Sequence, residues 1–113
     1  MQQSHLALKQ IAQLLKSQIR VGDLAARVGG EEFIVILPST HQEDAVEIAE
    51  RIRLSIETTP ILYNDNQHIS LTASCSVGSI VPKKSDTATH FIEMIDALLY
   101  RAKAQGRNRV LVL

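Results

Sequence analysis

Arg27-Val28-Gly29-Gly30-Glu31-Glu32-Phe33, running directly into Ile34-Val35-Ile36-Leu37-Pro38, is the stretch on which the fold of this chain turns. An apolar strand, a Gly-Gly turn, two adjacent carboxylates and a second apolar strand make a β-hairpin. Glycines permit positive φ and let the backbone approach a ligand closely. Carboxylates beside such a turn can hold Mg²⁺, which in turn carries phosphate oxygens. An ordinary Gly-Gly hairpin with solvent-exposed glutamates fits the same residues.

Working outward, residues 5–19 read as an amphipathic helix with Leu8, Ile11, Ala12, Leu15 and Ile19 on one stripe and Ser4 as its cap. Gly22 breaks that pattern, and strands are expected over Leu24–Val28 and Glu32–Leu37. A second helix is predicted over 42–58, with Ala45, Ile48, Ala49, Ile52 and Ile56 as its apolar face. Glu43, Glu47, Glu50, Arg51 and Arg53 line the other side, and Pro60 closes it. Asn64-Asp65-Asn66-Gln67 is a turn signal between a short strand at Ile61–Tyr63 and a long one. In that long strand Ile69, Leu71, Ala73, Cys75 and Val77 alternate with polar residues, which places the apolar set on one sheet face. Lys83-Lys84-Ser85-Asp86 reads as an exposed loop, followed by a last helix from about His90 to Gln105 that stops at Gly106. Val110–Leu113 complete the order α-β-β-α-β-β-α-β, which implies α/β sandwich packing with a largely antiparallel sheet.

At 113 residues the chain is one domain with room for a modest core. Lys plus Arg and Asp plus Glu number 12 each, so no global field favours nucleic acid or an anionic membrane. Basic residues gather at Arg101, Lys103, Arg107 and Arg109, a local cluster that suits a small anion. The single Cys75 cannot form an internal disulfide and reads as a small hydrophobe in a reducing compartment. The scattered His5, His41, His68 and His90 suggest no zinc site. With no apolar run of membrane-spanning length and no signal-peptide core, a cytoplasmic, soluble protein is expected.

Gly29-Gly30-Glu31-Glu32-Phe33 resembles the signature loop of the GGDEF family, the bacterial diguanylate cyclases, in its GGEEF form. Arg20-Val21-Gly22-Asp23 resembles the RxxD inhibitory site of that family. The run from Ala97 to Arg109, Ala-Leu-Leu-Tyr-Arg-Ala-Lys-Ala-Gln-Gly-Arg-Asn-Arg, looks like its C-terminal helix and the loop that follows. The similarity covers essentially all of this chain and the later two thirds of a usual domain, so residues 1–113 are read as a single partial GGDEF domain. The resemblance implies a nucleotidyl-cyclase, palm-like α/β fold with flanking helices and with its first strand missing.

It also implies a reaction. In the family two domains face each other, each holding one GTP, and each 3′-hydroxyl attacks the other α-phosphate to give cyclic di-GMP and two pyrophosphates. Positioning and charge neutralisation carry such chemistry, with Mg²⁺ as the cofactor of the complete domain. By resemblance, Glu31 is the metal-binding catalytic carboxylate and Glu32 assists it. Gly29 and Gly30 admit the nucleotide to the main chain, and Lys103 and Arg107, taken to lie one helical turn apart, contact phosphates. Arg20, Asp23 and Arg51 bind cyclic di-GMP in product inhibition. Implied partners are GTP, cyclic di-GMP, a second copy in a homodimer or strand-swapped dimer, and an N-terminal sensor or receiver domain of a longer parent.

The chain also departs from the pattern. The family carries an Asp-x-Asp-x-Phe-Lys segment on its first strand that supplies the other metal ligand, whereas the first acidic residue here is Asp23. His5, after Ser4, stands where the family has a guanine-contacting aspartate. Loss of one preorganised charged group typically costs about 10²–10³ in rate. The chain by itself is therefore expected to be inactive as a cyclase. Two other readings are a non-catalytic cyclic di-GMP receptor working through the RxxD site, and a remnant that only dimerises.

Overall fold

The computed structural model describes residues 2–81 and 88–113. Along the chain it forms α1 (Gln2–Gln18), β1 (Leu24–Gly29), β2 (Glu32–Ile36), α2 (Gln42–Thr58), β3 (Ile61–Asn64), β4 (Gln67–Ile69), β5 (Ser74–Val77), α3 (Ala88–Ala104) and β6 (Arg109–Val112). The predicted α/β class stands. The second helix falls on its expected residues, while α1 starts at Gln2, so Ser4 lies inside the first turn and does not precede it. The Lys83–Asp86 loop lies outside the described residues.

The long alternating strand is divided. Its first part, β4, pairs antiparallel with β3, and its last part, β5, pairs parallel with β6. Residues 70–73 between them belong to neither ladder, although Leu71 and Ala73 still turn toward the core. Alternation registers which face is apolar, and it is blind to which neighbour the backbone bonds; here the neighbour changes midway. β1 and β2 form the predicted antiparallel hairpin, so the described strands make three separate pairs. The pairing is largely antiparallel, as expected, with β5–β6 as the parallel exception that α3 connects. Among the described residues β2 bonds only β1, and β5 bonds only β6.

Side-chain packing holds these pairs in one body. Ile48, Ile52 and Ile56 of α2 are buried with Leu15 of α1. Against that cluster pack Ala25, Phe33, Val35 and Leu37 from the hairpin side and Leu71 and Ala73 from the other. The register pairs Ala25 with Val35 and Arg27 with Phe33, which is why these residues share the face toward the helices. α1 also grips β3 through Gln10, whose Nε2 donates to the Leu62 carbonyl (2.7 Å) while its Oε1 accepts from the Leu62 amide (2.9 Å). No helix among the described residues is long and apolar enough to cross a membrane.

α3 lies on the β5–β6 pair, with Leu98 and Ala102 buried and Ser76 Oγ donating to the Ile95 carbonyl at 2.9 Å. Gly78, just past β5, is what lets the helix approach this closely. A Cβ there would stand 2.6 Å from Ile95 Cδ1, 3.1 Å from Phe91 Cζ and 3.2 Å from Leu113 Cδ2. Gly78→Ala is expected to overpack this seam and cost about 1–3 kcal/mol, which urea melts of the two proteins would measure.

Candidate functional site

The hairpin presents Gly30 and Glu31 at its tip, between the paired Gly29 and Glu32. Gly29 (φ 145°) and Gly30 (φ 49°) both occupy backbone conformations that L side chains rarely adopt, so the tip requires glycine at both positions. Arg27 Nε donates to the Gly30 carbonyl at 2.8 Å and braces the tip from β1. The ladder slips between Arg27 and Gly29, and the resulting irregularity re-aims the end of the strand. Glu31 is left exposed at the turn.

Glu32 meets the C-terminal end of α3. Lys103 Nζ lies 3.9 Å from Glu32 Oε1, with the two side chains 42% and 49% exposed. An ion pair so open to water is worth little to stability. Its significance is placement, because the fold brings a predicted phosphate cation to the acidic hairpin tip.

Arg107 reaches the same region by a route other than the one predicted. α3 stops at Ala104, so Lys103 and Arg107 are not successive positions on one helix. The chain instead leaves through a Schellman-type cap, in which the Gly106 amide bonds the Lys103 carbonyl (3.3 Å) and the Arg107 amide bonds the Ala102 carbonyl (3.0 Å). Three consecutive residues then have positive φ: Gly106 (122°), Arg107 (62°) and Asn108 (46°). A non-glycine residue held there costs on the order of 1–3 kcal/mol, with Asn among the more tolerant types. This left-handed turn folds Arg107 back, so that its Nη1 lies 3.5 Å from the Lys103 carbonyl.

The predicted inhibitory residues form a second constellation. The Arg20 amide donates to Asp23 Oδ2 at 2.8 Å and its Nε to the same oxygen at 3.3 Å, while Nη2 donates to Thr40 Oγ1 at 2.5 Å. Thr40 in turn donates to the Pro38 carbonyl at 3.0 Å. Arg51 Nη2 donates to the Gln18 carbonyl at 3.3 Å, which ties α2 to the end of α1 just before Arg20. The Asp23 side chain is only 3% exposed against 59% for Arg20, so the aspartate is the seat and the arginine the outward-facing fork. Thr40 escaped the sequence reading; its only signal was a hydroxyl in the loop after β2.

The Arg20 backbone amide, and after it the guanidinium, hold the Asp23 carboxyl below its ordinary 3.8 against the opposing effect of burial. A depressed carboxyl stabilises the fold at every pH above its unfolded value and loses that contribution as pH falls through the folded one. The stability gap between the wild type and Asp23→Asn is therefore expected to be constant above pH 3.8 and to close below it. Urea melts of both proteins from about pH 7 to about pH 2 would measure this.

Arg53, expected on the solvent side of α2, instead turns inward with 15% of its side chain exposed. It chelates both Glu50 carboxylate oxygens, lies 3.7 Å from Glu57, and donates from Nη1 to Asn108 Oδ1 at 2.8 Å. Asn108 Nδ2 donates to Glu57 Oε2. Cys75 sits close by on β5, half-buried, and burial pushes its thiol up to about 11, with Arg53 pulling the other way.

Between α1 and the hairpin opens a cleft of about 270 Å³ whose lining combines His5, Lys9, Lys16 and Arg27 with apolar side chains including Leu15 and Phe33. Lys9 and Lys16 come from the polar positions of α1, which periodicity treats as solvent-facing, and Arg27 comes from β1. Among the described residues no group of three or more His, Cys, Asp and Glu could hold a metal ion. Mg²⁺ asks for about six oxygen ligands, and Glu31 with a Lys103-facing Glu32 does not complete that set.

The α/β framework carries a Gly-Gly-Glu-Glu hairpin beside a basic helix end, and comparison with known proteins gives it a family. The family model "Diguanylate cyclase, GGDEF domain" matches residues 2–109, and the chain belongs to this family. It is 43% identical over 105 residues to Diguanylate cyclase A of Treponema denticola, a match covering 93% of this chain and 28% of that protein. Diguanylate cyclase SiaD of Pseudomonas aeruginosa, solved in complex with its activator SiaC, superposes with a TM-score of 0.85 at 34% identity, covering 95% of this chain and 40% of SiaD. The GGDEF domain of DgcB from Caulobacter crescentus, solved in complex with c-di-GMP, gives 0.79 at 26% identity over 94% of this chain and 62% of that domain. The chain spans about a quarter of the length of the curated relatives it matches.

Proposed function

We propose that this chain is the nucleotide-handling part of a diguanylate cyclase domain. In this reading Lys103 and Arg107 contact the phosphates of GTP, and Gly29 and Gly30 let the hairpin main chain approach the nucleotide. Glu31 is the catalytic, metal-directed carboxylate, with Glu32 beside it. The observation that carries the reading is the meeting of Glu32 with Lys103, which puts the acidic tip and the basic helix end on one surface. The basic cleft beside the hairpin, with His5 in its wall, suits the rest of the nucleotide. Because the available donor set does not complete a Mg²⁺ site, the 113 residues alone are expected to take up GTP without cyclising it. Titration calorimetry with GTP should show saturable heat that Lys103→Ala or Arg107→Ala weakens by about tenfold or more. Unchanged affinity in both variants would remove the phosphate assignment.

The second reading, a cyclic di-GMP receptor, is supported by the Arg20–Asp23–Thr40 network with Arg51 tied in beside it. Asp23 and Thr40 hold the Arg20 guanidinium outward, where its planar fork can meet a phosphate or a guanine edge. DgcB, a family member, is known with c-di-GMP bound. Titration of cyclic di-GMP into the wild type and Arg20→Ala should give binding that the substitution abolishes. A folded sample that evolves no heat would end the receptor reading and leave the GTP measurement untouched.

The reaction needs two domains face to face, so we propose that the functional form is a homodimer, by docking or by strand exchange. Supporting this are the backbone edges of β2 and β5, which no described strand covers, since such edges favour pairing with another chain. Light scattering across a concentration series should report a dimer; a monomer throughout would overturn the assembly.

A further inference from the structure

We infer that Asn108, gripped by Arg53 and Glu57 of α2, is a positioning residue that sets the direction of the Arg107 guanidinium. The inference rests on the phosphate role proposed above for Arg107.

Arg107 is poorly anchored through its own side chain. It is exposed, and its Nη1 lies at 3.5 Å from the Lys103 carbonyl, the long end of a hydrogen bond. Where the guanidinium points is therefore decided by the backbone that carries it. Upstream, that backbone is fixed by the Arg107 amide on the Ala102 carbonyl at 3.0 Å. Downstream, Arg109 Nε donates to the Arg107 carbonyl at 3.0 Å, and the Arg109 guanidinium folds over Gly106, with Nη2 2.7 Å from where a Cβ would stand.

The left-handed run through Arg107 and Asn108 still needs something to hold its far end, and the Asn108 side chain does so. Its oxygen accepts from Arg53 Nη1 at 2.8 Å and its nitrogen donates to Glu57 Oε2. The amide uses both of its functions, one toward a cation and one toward an anion, and this fixes its orientation. Aspartate could accept from Arg53 but would face the Glu57 carboxylate without a proton to donate. Arg53 is itself immobilised by Glu50, so the clamp is built on a rigid helix and not on a second loop. With Arg53 15% exposed, these charge-assisted bonds are less screened than the open Lys103–Glu32 pair. α2 thus shapes the phosphate-facing surface from behind while touching no ligand.

The test is GTP calorimetry on the 113-residue chain with Arg107→Ala, Asn108→Ala, Asn108→Gly and the Arg107→Ala/Asn108→Ala double variant, each first shown to be folded by thermal melt. Asn108→Gly keeps the left-handed backbone available while deleting the clamp, and it serves if the alanine variant is unstable. Both Asn108 variants are expected to weaken GTP by about tenfold, and the double variant to be no weaker than Arg107→Ala alone, since the second change acts only through the first. Amide exchange at Arg107 should quicken in both Asn108 variants, a readout independent of ligand. Wild-type affinity in Asn108→Gly, or losses that simply add in the double variant, would overturn the inference and leave the phosphate reading standing. Failure of the wild type and Arg107→Ala to differ would overturn the phosphate reading, and this inference with it.

Discussion

The contact on which the rest of the structure depends is the packing of Ile48, Ile52 and Ile56 of α2 against Leu15 of α1. Backbone hydrogen bonds do not join β2 to β5, so the hairpin and the β5–β6 pair are held in one body by side chains from α1 and α2. Each isoleucine so buried contributes about 1.5–3 kcal/mol relative to exposure. The hairpin is tied to this cluster through Phe33 and Val35, and α3 is tied to α2 through the β5–β6 pair that both helices contact. The cluster thus serves the site as well as the fold.

Both polar constellations sit where a helix ends. Arg20 and Asp23 follow α1, and Lys103 and Arg107 flank the end of α3. A helix terminus leaves backbone groups without intrahelical partners, and here they are met by local turns that also orient an arginine. At α1 the Gln18 carbonyl accepts from Arg51, and just past the helix the Arg20 amide donates to Asp23, which simultaneously receives the guanidinium. At α3 the carbonyls of Ala102 and Lys103 accept from the left-handed turn that carries Arg107. Both arginines thus owe their placement to a backbone made rigid by capping, which lowers the entropy lost when a ligand is gripped. α2 touches both ends, through Arg51 at Gln18 and through Arg53 and Glu57 at Asn108.

The sequence by itself determined the hairpin, the α2 boundaries, the Gly106 stop and the family. Each of these is written in local terms: a glycine where φ must be positive, a 3.6-residue stripe of isoleucines, three motifs in order. Arg20 and Asp23 stand three residues apart in the sequence, and the structure shows that they pair with each other across the turn. Only the tertiary structure decided the division of the 69–77 strand, because alternation specifies a face and not a partner. It also decided the inward turn of Arg53 and the enlistment of Thr40, since a polar residue's partner across the fold leaves no periodic trace. The nearness of Arg107 to Lys103 was expected from helical spacing and is produced by three left-handed residues, a conformation that depends on what α2 places opposite Asn108. Local pattern chooses the elements because propensity and period act within a few residues; which elements meet is settled by packing among residues far apart in the chain.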